Sequence, residues 1–300
     1  MSREPTPPKS TSLQTVRPPR PYYTNWRDNP RWGRILRFPW WAIGLLIVGI
    51  LVVRAIALEE DTRIIFNAIM DGIGTTLLVT AIAFPLAIIL GLIIALARLS
   101  SNIIAYQLAT LYVEVIRGFP ALVFLFWVAL PLTIEAIGLL NRVGAWLISA
   151  GQLTVIGQAL VDLKSRDVDN TFRVVVALVL AYASFISEVF RGGIESIEKG
   201  QVEAARALGM TGRQAMRHVI LPQAIKRVIP PLGNDVIAML KDSSLVSVLG
   251  VNDITNRARV YSASTFRFAE TYNILAFVYL SLTLVLSSVV RWIEQRLKTE

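Results

Sequence analysis

Cysteine is absent from the 300 residues and histidine occurs once, at His218. Disulfides and thiolate metal sites are therefore excluded, as are zinc motifs built on paired histidines. No G-x-x-x-x-G-K-[S/T] phosphate loop occurs, so the chain is not expected to hydrolyse ATP by itself. The run SAGQL at Ser149–Leu153 stands in an apolar stretch without such a loop and is read as coincidence. Charge is scarce too: 17% of residues are charged and 54% hydrophobic, against roughly a quarter charged in soluble domains.

Several apolar runs reach the roughly 20 residues that cross a hydrocarbon core, which predicts a polytopic membrane protein. The net charge of +9 is concentrated in loops and tails, as on the cytoplasmic side of spans, and does not point to nucleic acid. Six spans are expected, at Phe38–Val53, Thr75–Ala97 with Pro85 as a kink, Leu108–Leu132, Phe172–Phe190, Val228–Gly250 and Asn273–Trp292. Residues 1–37 read as a Pro/Arg-rich solvated tail. Residues 38–71 hold the first span and an external loop, and 72–292 the core. Residues 133–171 read as an external insertion, either a loop with a short interfacial helix or a re-entrant piece. Residues 195–224 are a cytoplasmic loop and 293–300 a cytoplasmic end. The basic tail and the basic loop after span four both belong inside, so both termini are expected in the cytoplasm.

The loop after span four, EAARALGMTGRQAMRHVILP (Glu203–Pro222), is polar between two apolar spans. Gly209 suits the left-handed residue that ends a helix. Thr211 and Gln214 then form a T-x-x-Q capping box, and Pro222 is expected to limit the second helix. Val202, Ala205 and Leu208 make one apolar stripe; Ala215, Met216, Val219 and Ile220 make another. An amphipathic helix resting on the bilayer is one reading; a docking knob for a cytoplasmic partner also accounts for two capped helices.

Glu203-Ala204-Ala205, Gly209 and Leu221-Pro222 at these spacings resemble the EAA loop of permease subunits in type I ABC importers, with Val219 where Ile is usual. YVEVIRGFPALVFLFW (Tyr112–Trp127), YASFISEVFRGGIESIEKGQ (Tyr182–Gln201) and MLKDSSLVSVLGVNDI (Met239–Ile254) are similar to the polar amino acid subfamily of histidine, glutamate/glutamine, arginine and opine systems. The likeness covers Gly72–Trp292 apart from the insertion. Phe119, Ala121 and Ser243 depart from the commoner Thr, Leu and Thr.

The resemblance implies an all-α permease fold of about six spans in the bacterial inner membrane, with a coupling-helix hairpin between spans four and five. It implies two ABC ATPase subunits that bind ATP and Mg, a second permease (the same chain or a homologue), and a periplasmic amino-acid-binding protein. No cofactor, metal or catalytic site is expected in the chain itself. The residues expected to meet the ATPase are Glu203, Ala204, Ala205, Gly209, Met210, Leu221 and Pro222.

Charges within spans are costly unless paired or facing a wet cavity. Glu114/Arg117 and Glu188/Arg191 are spaced i,i+3, as helical pairs are. Asn234, Asp235, Lys241, Asp242, Ser243 and Ser244 crowd a span interrupted by Pro230, Pro231 and Gly233, where irregular backbone would line a cavity. With Ser184 and Glu188 they form the candidate substrate pathway, against a polar network in the bundle core. A secondary transporter is the alternative function, although internal repeats are not evident. An intramembrane hydrolase on Ser243 and Lys241 is a second alternative, of another class.

Overall fold

In lipid a helix gains nothing by hiding apolar side chains from water, so bundles close by van der Waals fit, most tightly where residues are small. The computed structural model describes residues 40–298 apart from Gln152, and the expected tail 1–37 lies outside them. Among the described residues the regular structure is helical, without strands. The helices are α1 (Trp40–Leu58), α2 (Glu60–Met70), α3 (Ile73–Arg98), α4 (Ile103–Gly118), α5 (Ala121–Trp127), α6 (Thr133–Ser149), α7 (Thr154–Asp162), α8 (Asn170–Glu195), α9 (Lys199–Ala207), α10 (Gly212–Ala215), α11 (Leu221–Asp242), α12 (Ile254–Thr265) and α13 (Phe268–Lys298).

Among the described residues four helical runs are long and apolar enough to cross a membrane: Glu60–Arg98, Ala121–Ser149, Asn170–Glu195 and Phe268–Arg296; Ala42–Leu58 is a shorter apolar helix. The chain divides within α1 into a unit ending at Leu51 and a second beginning at Val52. The first unit contributes the start of α1; the second holds everything that follows.

Within the second unit α3 and α8 run side by side, 26 residues each, about 39 Å at 1.5 Å per residue. They approach closely because Gly91 has no Cβ; one there would stand 2.8 Å from Ile186 Cγ2 and 3.1 Å from the Ala183 carbonyl oxygen. α11 packs on α8 through Gly193, where a Cβ would meet Val228, and on α13 through Gly233, where it would meet Val290. The main core joins Val79 and Ala83 of α3, Phe124 of α5, Val174 and Ile186 of α8 and Met239 of α11. A second cluster joins Ile65 and Ile69 of α2, Ile254 and Ala258 of α12, and Ile274 and Val278 of α13. Gly72 locks the two together. A Cβ on it would lie 2.5 Å from the Asp253 carbonyl carbon, while buried Thr76 accepts a hydrogen bond from the Ile254 amide.

Two expectations are corrected. The third span is not one helix over Leu108–Leu132: α4 stops at Gly118, and Phe119 and Pro120 are extended before α5 begins, because the residue before proline is held out of the helical region. Pro131, which lacks an N–H, is absorbed by a π turn at Val128–Leu132, and helix continues into α6 at Thr133. The fifth span is not weakened at Pro230, Pro231 or Gly233. α11 is unbroken through all three, and Lys226 and Arg227, whose carbonyls lose donors to the prolines, are exposed. The irregular backbone comes later, as a 3-10 stretch at Ser243–Leu249.

Candidate functional site: a capped hairpin, an arginine cluster and an aromatic cleft

The α9–α10 hairpin is built by its turn chemistry. Gly209 has φ +78°, and around it Gly209 N–H donates to the Arg206 carbonyl (2.9 Å) and Met210 N–H to the Ala205 carbonyl (3.1 Å). That is a Schellman ending, which leaves few carbonyls of α9 unsatisfied. Thr211 N–H then donates to Gln214 Oε1 (2.8 Å), and Gln214 N–H returns to Thr211 Oγ1 (3.4 Å). Both ends of the turn are thus fixed by local hydrogen bonds, as the residue types require.

Ala205, Ala215 and Ile220 are buried at the base, and Met210 and Leu221 half-buried. Glu203, Ala204, Gly209 and Pro222 are exposed. Of the apolar stripe Val202, Ala205 and Leu208, Leu208 is 79% exposed, at the tip. Pro222 does not limit a helix. It stands in the first turn of α11, where its missing N–H costs no bond, and the chain reaches it through a π turn at Met216–Ile220. Arg227 secures the base from α11, donating to the Ser196 carbonyl and to Ser196 Oγ (3.0 Å) at the end of α8.

A second cluster closes the same end of the bundle. Glu188 receives Arg98 of α3 (Nη1 to Oε1, 2.5 Å), Arg117 of α4 (3.5 Å) and Arg191 of its own helix (2.6 Å), while Arg191 also reaches Glu195 (2.8 Å). The expected Glu188/Arg191 pair is therefore one edge of a four-residue knot. Arg117 turns away from Glu114 to Glu188, its guanidinium also lying 5.6 Å from the Phe185 ring centre. Held by three guanidinium groups, the Glu188 carboxylate ties α3, α4 and α8 together.

Above this knot lies a cleft of about 50 Å³ whose lining includes Phe124, Leu178, Tyr182, Phe185, Asp242 and Leu245. Its polar element is the Tyr182 hydroxyl donating to Asp242 Oδ2 at 2.7 Å, and Tyr182 and Phe185 rings pack 6.2 Å apart. Of the eight residues expected along a substrate pathway, Asp242 is the one on this cleft. Ser184 and Ser243 are fully buried, with hydroxyls returned to the carbonyls of Ala181 and Leu240 (both 2.7 Å). Lys241 and Asn234 are exposed and Ser244 half-buried. Asp235 is half-buried with Oδ2 lacking a hydrogen-bond partner. Sequence reasoning missed Tyr182 and Phe185; the signal available was an aromatic pair spaced i,i+3 on a helix that also carries Glu188. It also missed Arg173. From the start of α8, this buried side chain donates to the carbonyls of Ala129 (3.0 Å), Val168 (3.1 Å) and Ser165.

Comparison with known proteins places this architecture. Residues 87–299 match the family described as the binding-protein-dependent transport system inner membrane component. The chain belongs to that family, as a polar amino acid permease of an ABC importer. The permease is 37% identical over 235 residues (78% of this chain, 94% of the relative) to the probable glutamine ABC transporter permease protein GlnM of Bacillus subtilis (strain 168). It is 33% identical over 246 residues (80% and 99%) to the glutamine transport system permease protein GlnP of Escherichia coli (strain K12). Among solved structures, an amino acid ABC transporter crystallised with histidines matches at 35% identity with a TM-score of 0.62, over 77% of the permease and 94% of that chain. The inward-facing MetNI methionine ABC transporter shares the fold alone, at 18% identity and a TM-score of 0.59. Relatives so named are transport subunits, not enzymes.

Proposed function

We propose that this permease forms half of the pathway through which an importer in the bacterial inner membrane takes up polar amino acids. A periplasmic binding protein delivers the cargo. Two separate ABC ATPase subunits bind and hydrolyse ATP with Mg, so the chain needs no cofactor of its own. The second half of the pathway is another copy or a homologue. Both termini lie in the cytoplasm, which puts the Glu188 knot and the α9–α10 hairpin on that side, with residues 133–171 outside.

The observation that carries this reading is the α9–α10 hairpin. It is stiffened by a Schellman ending and a capping box, bolted to α8 and α11 by Arg227, and it presents Glu203, Ala204, Gly209 and bare Leu208 outward. A stiff projection clamped to two core helices transmits displacement. Glu203, Ala204, Gly209 and Leu208 meet the ATPase. Ala205, Met210, Leu221 and Pro222 hold the hairpin's shape beneath them. On the pathway side, Asp242 with Tyr182 offers an acceptor for a substrate ammonium beside the Phe124 and Phe185 rings.

The test is affinity purification of the tagged permease from its native membrane in mild detergent, beside the Glu203→Lys variant. Wild type brings down an ATPase subunit, and the charge reversal loses it while remaining folded. Retention of the ATPase by Glu203→Lys, or its absence from wild type under conditions that keep a known importer intact, contradicts the coupling role.

A further inference from the structure

The α6–α7 hairpin carries apolar surface that the transport reading does not use. α6 packs on α7 and on the Ser165–Asp167 turn rather than on the core helices. The two helices meet through glycine, since a Cβ on Gly144 would stand 2.6 Å from the Gly157 carbonyl oxygen, the close approach typical of helices in lipid. Three of its polar side chains are satisfied within the hairpin. Asn141, with its amide nitrogen turned inward, donates to the Ile137 and Leu160 carbonyls (2.8 Å each). Ser149 donates to the Trp146 carbonyl (2.8 Å), and Gln158 to Asp162 (3.1 Å).

From Val143 to Val161 there is no Asp, Glu, Lys or Arg, and Arg142 and Asp162 bracket the stretch. Within it Trp146 is 63% and Val155 82% exposed, and Leu153 and Ile156 are exposed beside them. A helix pair docked on protein keeps a polar back; this one is apolar on the outer sides of both helices, as a segment solvated by hydrocarbon is. The place in the fold agrees: α6 leaves the bundle just beyond Ala129, which Arg173 ties to the start of α8, the end remote from α9–α10.

We infer that the tip of the α6–α7 hairpin, the end of α6 from Val143 and α7 up to Val161, is seated in the acyl–headgroup boundary of the leaflet at that end of the bundle. That leaflet is the outer one in the orientation proposed above; the lipid contact itself is read independently of sidedness and of ATPase docking.

The cysteine-free chain makes the test clean. Val155→Cys, and separately Trp146→Cys, are labelled with an environment-sensitive NBD fluorophore in the assembled importer. Each is reconstituted in phosphatidylcholine vesicles containing nitroxide-labelled phosphatidylcholine, with Arg166→Cys as a water-exposed reference. Blue-shifted emission is expected, quenched more by a nitroxide near the top of the acyl chain than by one near its end, and insensitive to aqueous iodide. Quenching by iodide with none from lipid places the tip in water and overturns the inference. Protection from both quenchers overturns it in favour of a protein partner, such as the second permease.

Discussion

Replacing Glu188 with Gln removes one charge and almost no volume from a knot that joins α3, α4 and α8. Arg98 is only 10% exposed and Glu188 21%, with their atoms 2.5 Å apart. Stripping one partner from a buried pair costs about 3–5 kcal/mol, because the other charge is stranded. The bridge to Arg117 is longer, at 3.5 Å, and Arg117 is 46% exposed, so it counts as a surface pair of about 0–1 kcal/mol. Arg191 keeps Glu195 at 2.8 Å. The loss is therefore dominated by Arg98 and should be about 3 kcal/mol. It is measured by reversible denaturation in mixed micelles, with elution as a monodisperse peak as the folding control. Replacing Arg98 and Glu188 together with Met should recover much of the loss, since neither charge is then left buried alone. Wild-type stability in Glu188→Gln combined with lost uptake would refute this reasoning and return Glu188 to the substrate pathway.

In the cleft, Tyr182→Phe removes the donor to Asp242. A hydrogen bond to a charged group is worth about 1.5–3 kcal/mol and this one ties α8 to α11, so the variant should lose stability of that order in mixed micelles. A change in half-saturation of uptake, read with a panel of radiolabelled polar amino acids, should accompany it if the cleft takes cargo. Gly209→Val and Thr211→Ala each undo one side of the hairpin turn. The first forces a β-branched residue to φ +78° and the second removes an N-cap worth about 1 kcal/mol; both should uncouple ATP hydrolysis from uptake in vesicles while the core melts as wild type. At the head of α8, the hydroxyl and amide of Thr171, the latter 2.7 Å from the carboxylate, hold Asp169 below the ordinary carboxylate range. A depressed folded value stabilises above the ordinary value near 4 and the benefit fades as pH falls through the folded one. The melting temperature of wild type should thus fall more steeply on acidification than that of Asp169→Asn, which caps without titrating.

Local chemistry was the legible part of this sequence. Gly209, Thr211 and Gln214 act on neighbours within four residues, so the hairpin's turn followed from residue type alone, and hydropathy located the long apolar helices. What depended on distant partners was not legible. The i,i+3 rule found Arg191 for Glu188 but had no means of finding Arg98, 90 residues away. Leu208 shares a stripe with buried Ala205 yet is exposed, because periodicity says which residues share a face, not whether that face meets protein. Prolines misled in both directions: Phe119-Pro120 divides a run that reads as one span, while Pro230 and Pro231 pass through an intact helix. Ser184 and Ser243 were candidates as hydroxyls, yet each is spent on its own helix. Tyr182 gained meaning only when α8 and α11 were side by side.

The coupling role is tested most directly at Leu208, the exposed tip of the hairpin. With a photo-crosslinking phenylalanine analogue at position 208 and illumination of native membranes, the permease should be captured in one dominant adduct, and mass spectrometry should find an ABC ATPase subunit in it. An adduct with lipid alone, or none while the same analogue at exposed Ala204 also stays silent, would contradict the coupling role and leave the hairpin as a surface helix.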